Sequence, residues 1–317
     1  MLQELGGPFI VLITPLDDQR CQDKDSLKCL IDYYLKAGVT GFTILGESSE
    51  VEKLTSKEKS ENMDLVLGKI NGRVPVVFGT SREGTQNTVA ASICAEEKGA
   101  SALMIAPPKN PKLRDDAIFD HYAAIGDSVK IPIVIQDIPE SNHPYMSPQL
   151  IARINSDISG AQYLKLEDPP TPMKLTRLRA IAGNRLKIFG ALGGKGCLWE
   201  LDRGSIGIMT ASPTPEYLVG LWTAYTTGNR NKALEIYFYN LPLIHFYSEA
   251  GLAVRKKLLQ HRGIIRTKLV KLPGRELDER GQIELIELLD WVERNVEEKT
   301  GLKPLRLPRK HDVLDES

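Results

Sequence analysis

Short apolar runs alternate along this chain with longer stretches whose apolar residues recur at helical spacing. Residues 8–16, PFIVLITPL, form an apolar run bounded by a proline and a polar turn, the pattern of a buried strand. Leu27, Leu30, Ile31, Tyr34 and Leu35 then follow the i, i+3, i+4, i+7, i+8 rule and predict one helix stripe. Gly38 stands where a helix C-cap is expected, and GFTILG at 41–46 is the second strand. Thr55 to Glu58, TSKE, is a capping box that opens the second helix.

The alternation continues. Strands are predicted at 75–80, 102–107, 132–137, 163–167, 187–191 and 205–211. Helices are predicted near 84–98, 114–126, from Ser147-Pro148 onward, and near 171–182, 193–202 and 214–226. A weak internal repeat marks the helix-to-strand joints: KAGVTGFTILG, EKGASALMIAP and DRGSIGIMTAS. Strands this apolar are buried on both faces, which calls for a parallel sheet covered by helices.

Eight such units most economically close into an α/β fold of the (β/α)8 TIM barrel type. An open doubly wound sheet would carry GxGxxG after its first strand, and ITPLDDQ has none. After about residue 228 the pattern turns helical, at 230–248, 250–260 and 278–297. The expected organisation is therefore a barrel over 1–228, a C-terminal helical appendage over 229–300, and a loosely held tail over 301–317.

Composition narrows the function classes. The chain has 317 residues, 42% hydrophobic and 26% charged, enough for a packed core. Lys+Arg and Asp+Glu are 41 each, so no basic field favours nucleic acid or an anionic membrane. Cys21, Cys29, Cys94 and Cys197 form no CxxC, and the five histidines form no metal-binding spacing. No metal, no disulfide and a cytoplasmic location are expected.

One residue interrupts the apolar pattern. In YLKLE at 163–167, Tyr163, Lys165 and Glu167 share one face and Leu164 and Leu166 the other. With the leucines toward the helices, Lys165 points into the barrel, near the strand end where such barrels hold their chemistry. Desolvation disfavours an ammonium, and a neutral amine condenses with a ketone to a Schiff base. The same pattern equally suits a structural ion pair between Lys165 and Glu167. Asp137 suits either a sugar hydroxyl or a cap on the loop that ends at Pro139. GALGGKG at 190–196 is shaped like a phosphate loop, but its spacing is short and no Ser/Thr follows the lysine.

These pieces together resemble the dihydrodipicolinate synthase / N-acetylneuraminate lyase family of Schiff-base aldolases and lyases. The likeness covers about residues 7 to 298, through GPFIVLITPL, GESSE, RVPVVFGT, IPIVIQDIP, YLKLE, IFGALGG and GSIGIMTAS, in that order. It implies that Lys165 forms the imine. It also implies that Gly46, Glu47, Ser48 and Ser49 bind the substrate carboxylate, with Lys109, Gly190 and Ile206 as further substrate contacts.

The family's proton-relaying tyrosines are replaced by Gln136 and Lys109, its Thr-Thr by Ile44-Leu45, and an arginine of the synthases falls near Ser141. Glutamine, isoleucine and leucine do not shuttle protons. Gln136-Asp137, Lys165 with Glu167, and Ser49-Glu50 are instead similar to the 2-keto-3-deoxy sugar acid dehydratase subgroup. The resemblance then implies a lyase acting on a 2-oxo acid, with Lys165, Glu167 and Gln136 in the catalytic set. The lysine serves as electron sink, so no cofactor is needed. A homo-oligomer, tetramer or dimer, is implied. The synthase itself and a non-catalytic barrel that binds a 2-oxo acid stand as alternatives.

Overall fold

The structure, a computed structural model, describes residues 4–307. Eight parallel strands close a barrel in sequence order: β1 Gly7–Val11, β2 Gly41–Ile44, β3 Val76–Gly79, β4 Ala102–Ile105, β5 Ile133–Asp137, β6 Tyr163–Leu166, β7 Lys187–Gly190 and β8 Gly207–Thr210. In chain order the helices are α1 Lys24–Ala37, α2 Ser56–Ile70, α3 Thr85–Glu97, α4 Asp115–Gly126, α5 Pro139–Asn142, α6 Pro148–Asp157, α7 Thr171–Ala182, α8 Cys197–Leu201 and α9 Pro215–Thr226. Three more close the chain: α10 Arg230–Glu249, α11 Leu252–His261 and α12 Glu279–Thr300. The fold is a (β/α)8 barrel followed by C-terminal helices.

Contacts group the chain into two compact units. The first holds the residues up to Leu12, Thr40–Gly46 and Gly72–Thr210, and so all eight strands. The second holds Ile13–Val39, Glu47–Asn71 and the residues from Ala211 onward.

Helix ends follow the local chemistry of the sequence. Asp23 caps α1 by accepting from the N–H groups of Asp25 and Ser26, and Gly38 ends it at φ 88°, a left-handed turn that suits a residue without Cβ. Both halves of the Thr55–Glu58 capping box form at α2. Ser147 caps α6, with Pro148 at its first position.

Three expectations need correction. The first strand ends at Val11 and not at residue 16, because Thr14-Pro15 leads the chain out of the ladder and proline has no N–H to continue it. The helix expected near 193–202 is instead a 3-10 turn, Leu192–Gly194, followed by the one-turn α8. Gly193 sits at φ 70°, and a run containing Gly193, Gly194 and Gly196 cannot hold a regular helix. The last helix runs on to Thr300, where Gly301 at φ 69° ends it. Of the expected tail, residues 302–307 carry no regular element and 308–317 lie outside the described residues.

The strand register decides what fills the barrel. Strands are tilted, so inward side chains from alternate strands stack in layers of four. The register places Gly41, Ala102, Tyr163 and Gly207 in the lowest layer. Phe9, Val77, Val134 and Phe189 lie above it. The rings of Phe9 and Phe189 lie 5.3 Å apart although β8 separates their strands, a contact made inside the barrel. Phe9 overlies Gly41, where an added Cβ would overlap its ring. Both phenylalanines are fully buried, each stabilising by about 1.5–3 kcal/mol.

The second unit has its own ionic centre. Arg262 places Nη1 2.8 Å from Glu216 Oε1 and Nη2 2.6 Å from Glu293 Oε1, with no exposure of its side chain. The same guanidinium donates to the Tyr33 hydroxyl at 2.6 Å.

Candidate active site

Lys165 belongs to the third layer of the barrel, with Thr43, Met104 and Met209. Its neighbours Leu164 and Leu166 have no exposure and face the other side of the strand, as the alternation requires. The next layer holds Val11, Gly79, Gln136 and Ala191, three of them small or without a side chain. Ala106 and Glu167 follow at the strand ends. The fully buried Phe9 and Phe189 thus fill the layer beneath Lys165, and Gly79 and Ala191 stand in the layer above it.

Three buried polar side chains converge there. Lys165 Nζ lies 2.9 Å from Glu167 Oε1, and Gln136 Nε2 donates to that same oxygen at 2.9 Å. Lys165 and Gln136 are register partners, so β5 and β6 deliver them side by side. The Glu167 N–H donates to the Asp137 carbonyl at 2.8 Å, one step beyond the last strand pair. Burial matters because a charge-assisted contact is stronger away from water. One carboxylate oxygen thus serves both the amine and the amide.

The outer face of the same strand ends carries a second set. Asp137 has no exposure, and its Oδ2 lies 2.6 Å from Lys174 Nζ on α7. Lys174 also reaches Asp168 Oδ2 at 2.7 Å and the Met146 carbonyl at 2.7 Å. Burial pushes the Asp137 carboxyl up to about 6, against the opposing pull of Lys174. On the next strand, Glu200 from α8 sits where Gly190 lacks a Cβ, and it accepts from the Thr171 hydroxyl. Burial pushes the Glu200 carboxyl up from 4.5 to about 7.

The other expected site residues separate by position. Gly46 reaches the lumen wall: an added Cβ would come within 3.2 Å of Val11 and 3.3 Å of Met104. Glu47, Ser48 and Ser49 form a 3-10 turn in the second unit, and the Ser49 carbonyl accepts from Thr14 Oγ1 at 2.7 Å. Lys109 is exposed in the loop between β4 and α4. Gly190 directs its open side at Glu200 and away from Lys165. Ile206 spends both backbone groups on the ladder, its N–H on the Ile188 carbonyl and its carbonyl on the Gly7 N–H. Asp137, read in the sequence as a sugar ligand or loop cap, is held by Lys174.

Sequence reasoning missed Lys174, Asp168 and Glu200. Lys174 carried no signal beyond one lysine in the first turn of an amphipathic helix. Among the described residues, no three His, Cys, Asp or Glu side chains group as a metal site requires. No described helix is long and apolar enough to cross a membrane.

Comparison with known proteins agrees with this geometry. The model of the dihydrodipicolinate synthetase family matches residues 4–291. The L-2-keto-3-deoxyarabonate dehydratase of Azospirillum brasilense is 31% identical over 287 residues, 88% of this chain and 92% of that protein. A 4-hydroxy-tetrahydrodipicolinate synthase of Phocaeicola vulgatus is 26% identical over 274 residues, 85% of this chain and 91% of that one. The crystal structure of dihydrodipicolinate synthase from Rhodopseudomonas palustris superposes with a TM-score of 0.85 at 29% identity, covering 90% of this chain and 97% of that one. A barrel with a lumen lysine on its sixth strand and a family match over nearly its whole length lead to one conclusion: this chain belongs to the dihydrodipicolinate synthetase family.

Proposed function

We propose that this chain is a Schiff-base lyase that dehydrates a 2-keto-3-deoxy sugar acid through Lys165. The observation that carries the reading is the buried triplet Lys165–Glu167–Gln136 at the C-terminal end of the barrel. The chain is an enzyme of the lyase class by its family, and a relative at 31% identity is named a dehydratase of this kind.

In the proposed mechanism the substrate carboxylate is bound at Gly46, and the family resemblance alone assigns Glu47, Ser48 and Ser49 to the same role. Glu167 takes a proton from the Lys165 ammonium across 2.9 Å, and the free amine adds to C2. Glu167 returns that proton to the C2 hydroxyl, which leaves as water; this gives the protonated imine, which withdraws electrons from C3, and leaves Glu167 again a carboxylate. Glu167 removes a C3 proton and passes it to the hydroxyl on C4, which leaves as water as the enamine collapses. A proton shift from C5 to C3 turns the new double bond into a C4–C5 enol, which tautomerises to an aldehyde, and addition of water at C2 releases the product and returns Lys165. Gln136 orients Glu167 and the substrate and carries no proton, because an amide has none to give at neutral pH. That favours elimination within one substrate over a synthase that relays protons to a second substrate.

The synthase is the second reading, favoured by relatives such as those of Phocaeicola vulgatus and Clostridium novyi that carry that name. A silent 2-oxo acid binder is the third, and the retained Lys165 weighs against it. Borohydride with pyruvate, followed by mass spectrometry, is expected to add the reduced pyruvyl mass at Lys165 and not in Lys165→Ala. Incubation with 2-keto-3-deoxyarabonate is then expected to give a dehydrated 2-oxo acid semialdehyde. Product only from pyruvate plus aspartate semialdehyde would overturn the dehydratase. Absence of any adduct would overturn the enzyme.

The scattered cysteines suit a reducing cytoplasm, and the division into a barrel over 1–228 and helices over 229–300 is kept as part of this reading. A homo-oligomer is proposed as well. One solved relative, at 23% identity, is titled a monomeric dihydrodipicolinate synthase variant, so light scattering is the deciding measurement.

A further inference from the structure

Lys174 stands outside the barrel lumen, on the first turn of α7, yet it grips the strand ends that carry the lumen triplet. Its amine donates to Asp168 Oδ2 at 2.7 Å and to the Met146 carbonyl at 2.7 Å, and it lies 2.6 Å from Asp137 Oδ2 as an ion pair.

The placement of the two carboxylates is what matters. Asp137 follows Gln136 directly, and Asp168 follows Glu167 directly. Neighbouring residues on an extended chain point to opposite faces. Asp137 ends β5 facing away from Gln136, and Asp168 opens the bend that follows Glu167, so an ammonium bound to both ties the two strand ends together and constrains the separation of Gln136 and Glu167. The regular β5–β6 pairing stops at Asp137 and Leu166, and beyond it only the Glu167 N–H to Asp137 carbonyl bond remains. Glu167 thus lies on a strand end that the sheet alone holds weakly. Burying a lysine between carboxylates is costly, and an apolar residue would fill this place with less penalty.

We propose that Lys174 is a positioning residue: by clamping Asp137 and Asp168 it holds Glu167 Oε1 within hydrogen-bond reach of both Lys165 Nζ and Gln136 Nε2. Its kinetic consequence rests on the Schiff-base reading above. Its structural consequence does not.

The test uses the full chain with Lys174→Met, and Lys174→Arg as the conservative variant. For Lys174→Met, kcat with a 2-keto-3-deoxy sugar acid is expected to fall roughly a hundredfold, because displaced catalytic groups lose that much. KM is expected to stay within about twofold, because the carboxylate cradle is untouched, and Lys174→Arg is expected to recover most of kcat. A role in folding alone would lower the active fraction and leave the kcat of folded protein unchanged. Hydrogen–deuterium exchange supplies a readout free of activity, with the Glu167 amide expected to lose protection in Lys174→Met. If Lys174→Met does not fold, Asp137→Asn, which removes the ion pair and keeps both Lys174 hydrogen bonds, is measured in its place with the same two expectations. Unchanged kcat in a folded variant, or unchanged exchange at Glu167, overturns the clamp. If the parent forms no adduct at Lys165, the functional reading fails and the exchange result alone decides the clamp.

Discussion

Lys256 Nζ and Glu50 Oε2 lie 2.6 Å apart, and the Lys256 side chain has no exposure at all. The amine also donates to the Leu269 carbonyl at 2.8 Å, and Glu50 Oε1 accepts the Lys271 N–H at 2.7 Å. Burial pushes the Lys256 amine down to about 8, against the upward pull of Glu50. Glu50 itself adopts a left-handed turn at φ 57°, next to the Glu47–Ser49 turn. Breaking such a pair leaves the buried carboxylate with only Lys53 Nζ at 3.5 Å and the Lys271 N–H, at a cost of up to about 3–5 kcal/mol. Lys256→Met is therefore expected to lose that much stability in urea unfolding. Adding Glu50→Gln is expected to return a good part of it, since removing both charges is far cheaper than removing one. A loss below about 1 kcal/mol for Lys256→Met would show that the pair holds nothing.

Gly190 and Glu200 make a steric prediction. An alanine Cβ at 190 would overlap Glu200 Oε2 and force this buried carboxyl to shift. Gly190→Ala is expected to destabilise the protein by about 1–3 kcal/mol through overpacking. The combination with Glu200→Ala is expected to be more stable than the sum of the single changes predicts, because the overlap disappears. Strict additivity in a double-mutant cycle of melting curves would refute the contact.

Glu200 also sets a pH dependence. Its folded carboxyl titrates near 7 and its unfolded one near 4.5. Between those values the folded state binds the extra proton, so stability falls as pH rises through the window. The shift corresponds to about 3 kcal/mol. Asp137, raised from 3.8 to about 6, acts in the same direction at lower pH. Unfolding free energies at pH 5, 6, 7 and 8 are expected to decline for the parent and to decline less for Glu200→Gln. Parallel curves for the two proteins would remove Glu200 as the cause.

The lumen triplet predicts a graded loss of turnover. Lys165→Ala is expected to abolish adduct formation. Glu167→Gln keeps the shape and removes the base, and is expected to cost about 10²- to 10⁴-fold in kcat. Gln136→Ala removes one hydrogen bond to Glu167 and is expected to cost roughly tenfold. Steady-state kinetics of the three variants test the order. A Gln136→Ala effect larger than that of Glu167→Gln would assign the proton to another group.

The readable parts of this molecule are the ones governed by near neighbours in the chain. The helix over 171–182 forms over that same span, Thr55–Glu58 makes its capping box, and Leu164 and Leu166 turn away from Lys165. The helix expected near 193–202 fails for a local reason: glycines at 193, 194 and 196 outweigh an apolar pattern that suggested a helix. Lys165 was visible because a charge in an apolar strand conflicts with its surroundings, and such conflicts mark sites.

By itself the sequence determined the strand–helix alternation, the closure into a barrel, the caps, and the face on which Lys165 lies, because each depends on periodicity or on groups a few residues apart. Which side chains meet was decided only in three dimensions. Gln136 finds Glu167 across 31 residues, and Lys256 finds Glu50 across 206. Asp137 shows the difference: its type and position suited a sugar ligand, and packing gave it to Lys174. Burial removes water as a partner, so each polar group must take whichever charge the fold brings within reach, and no local pattern encodes that choice.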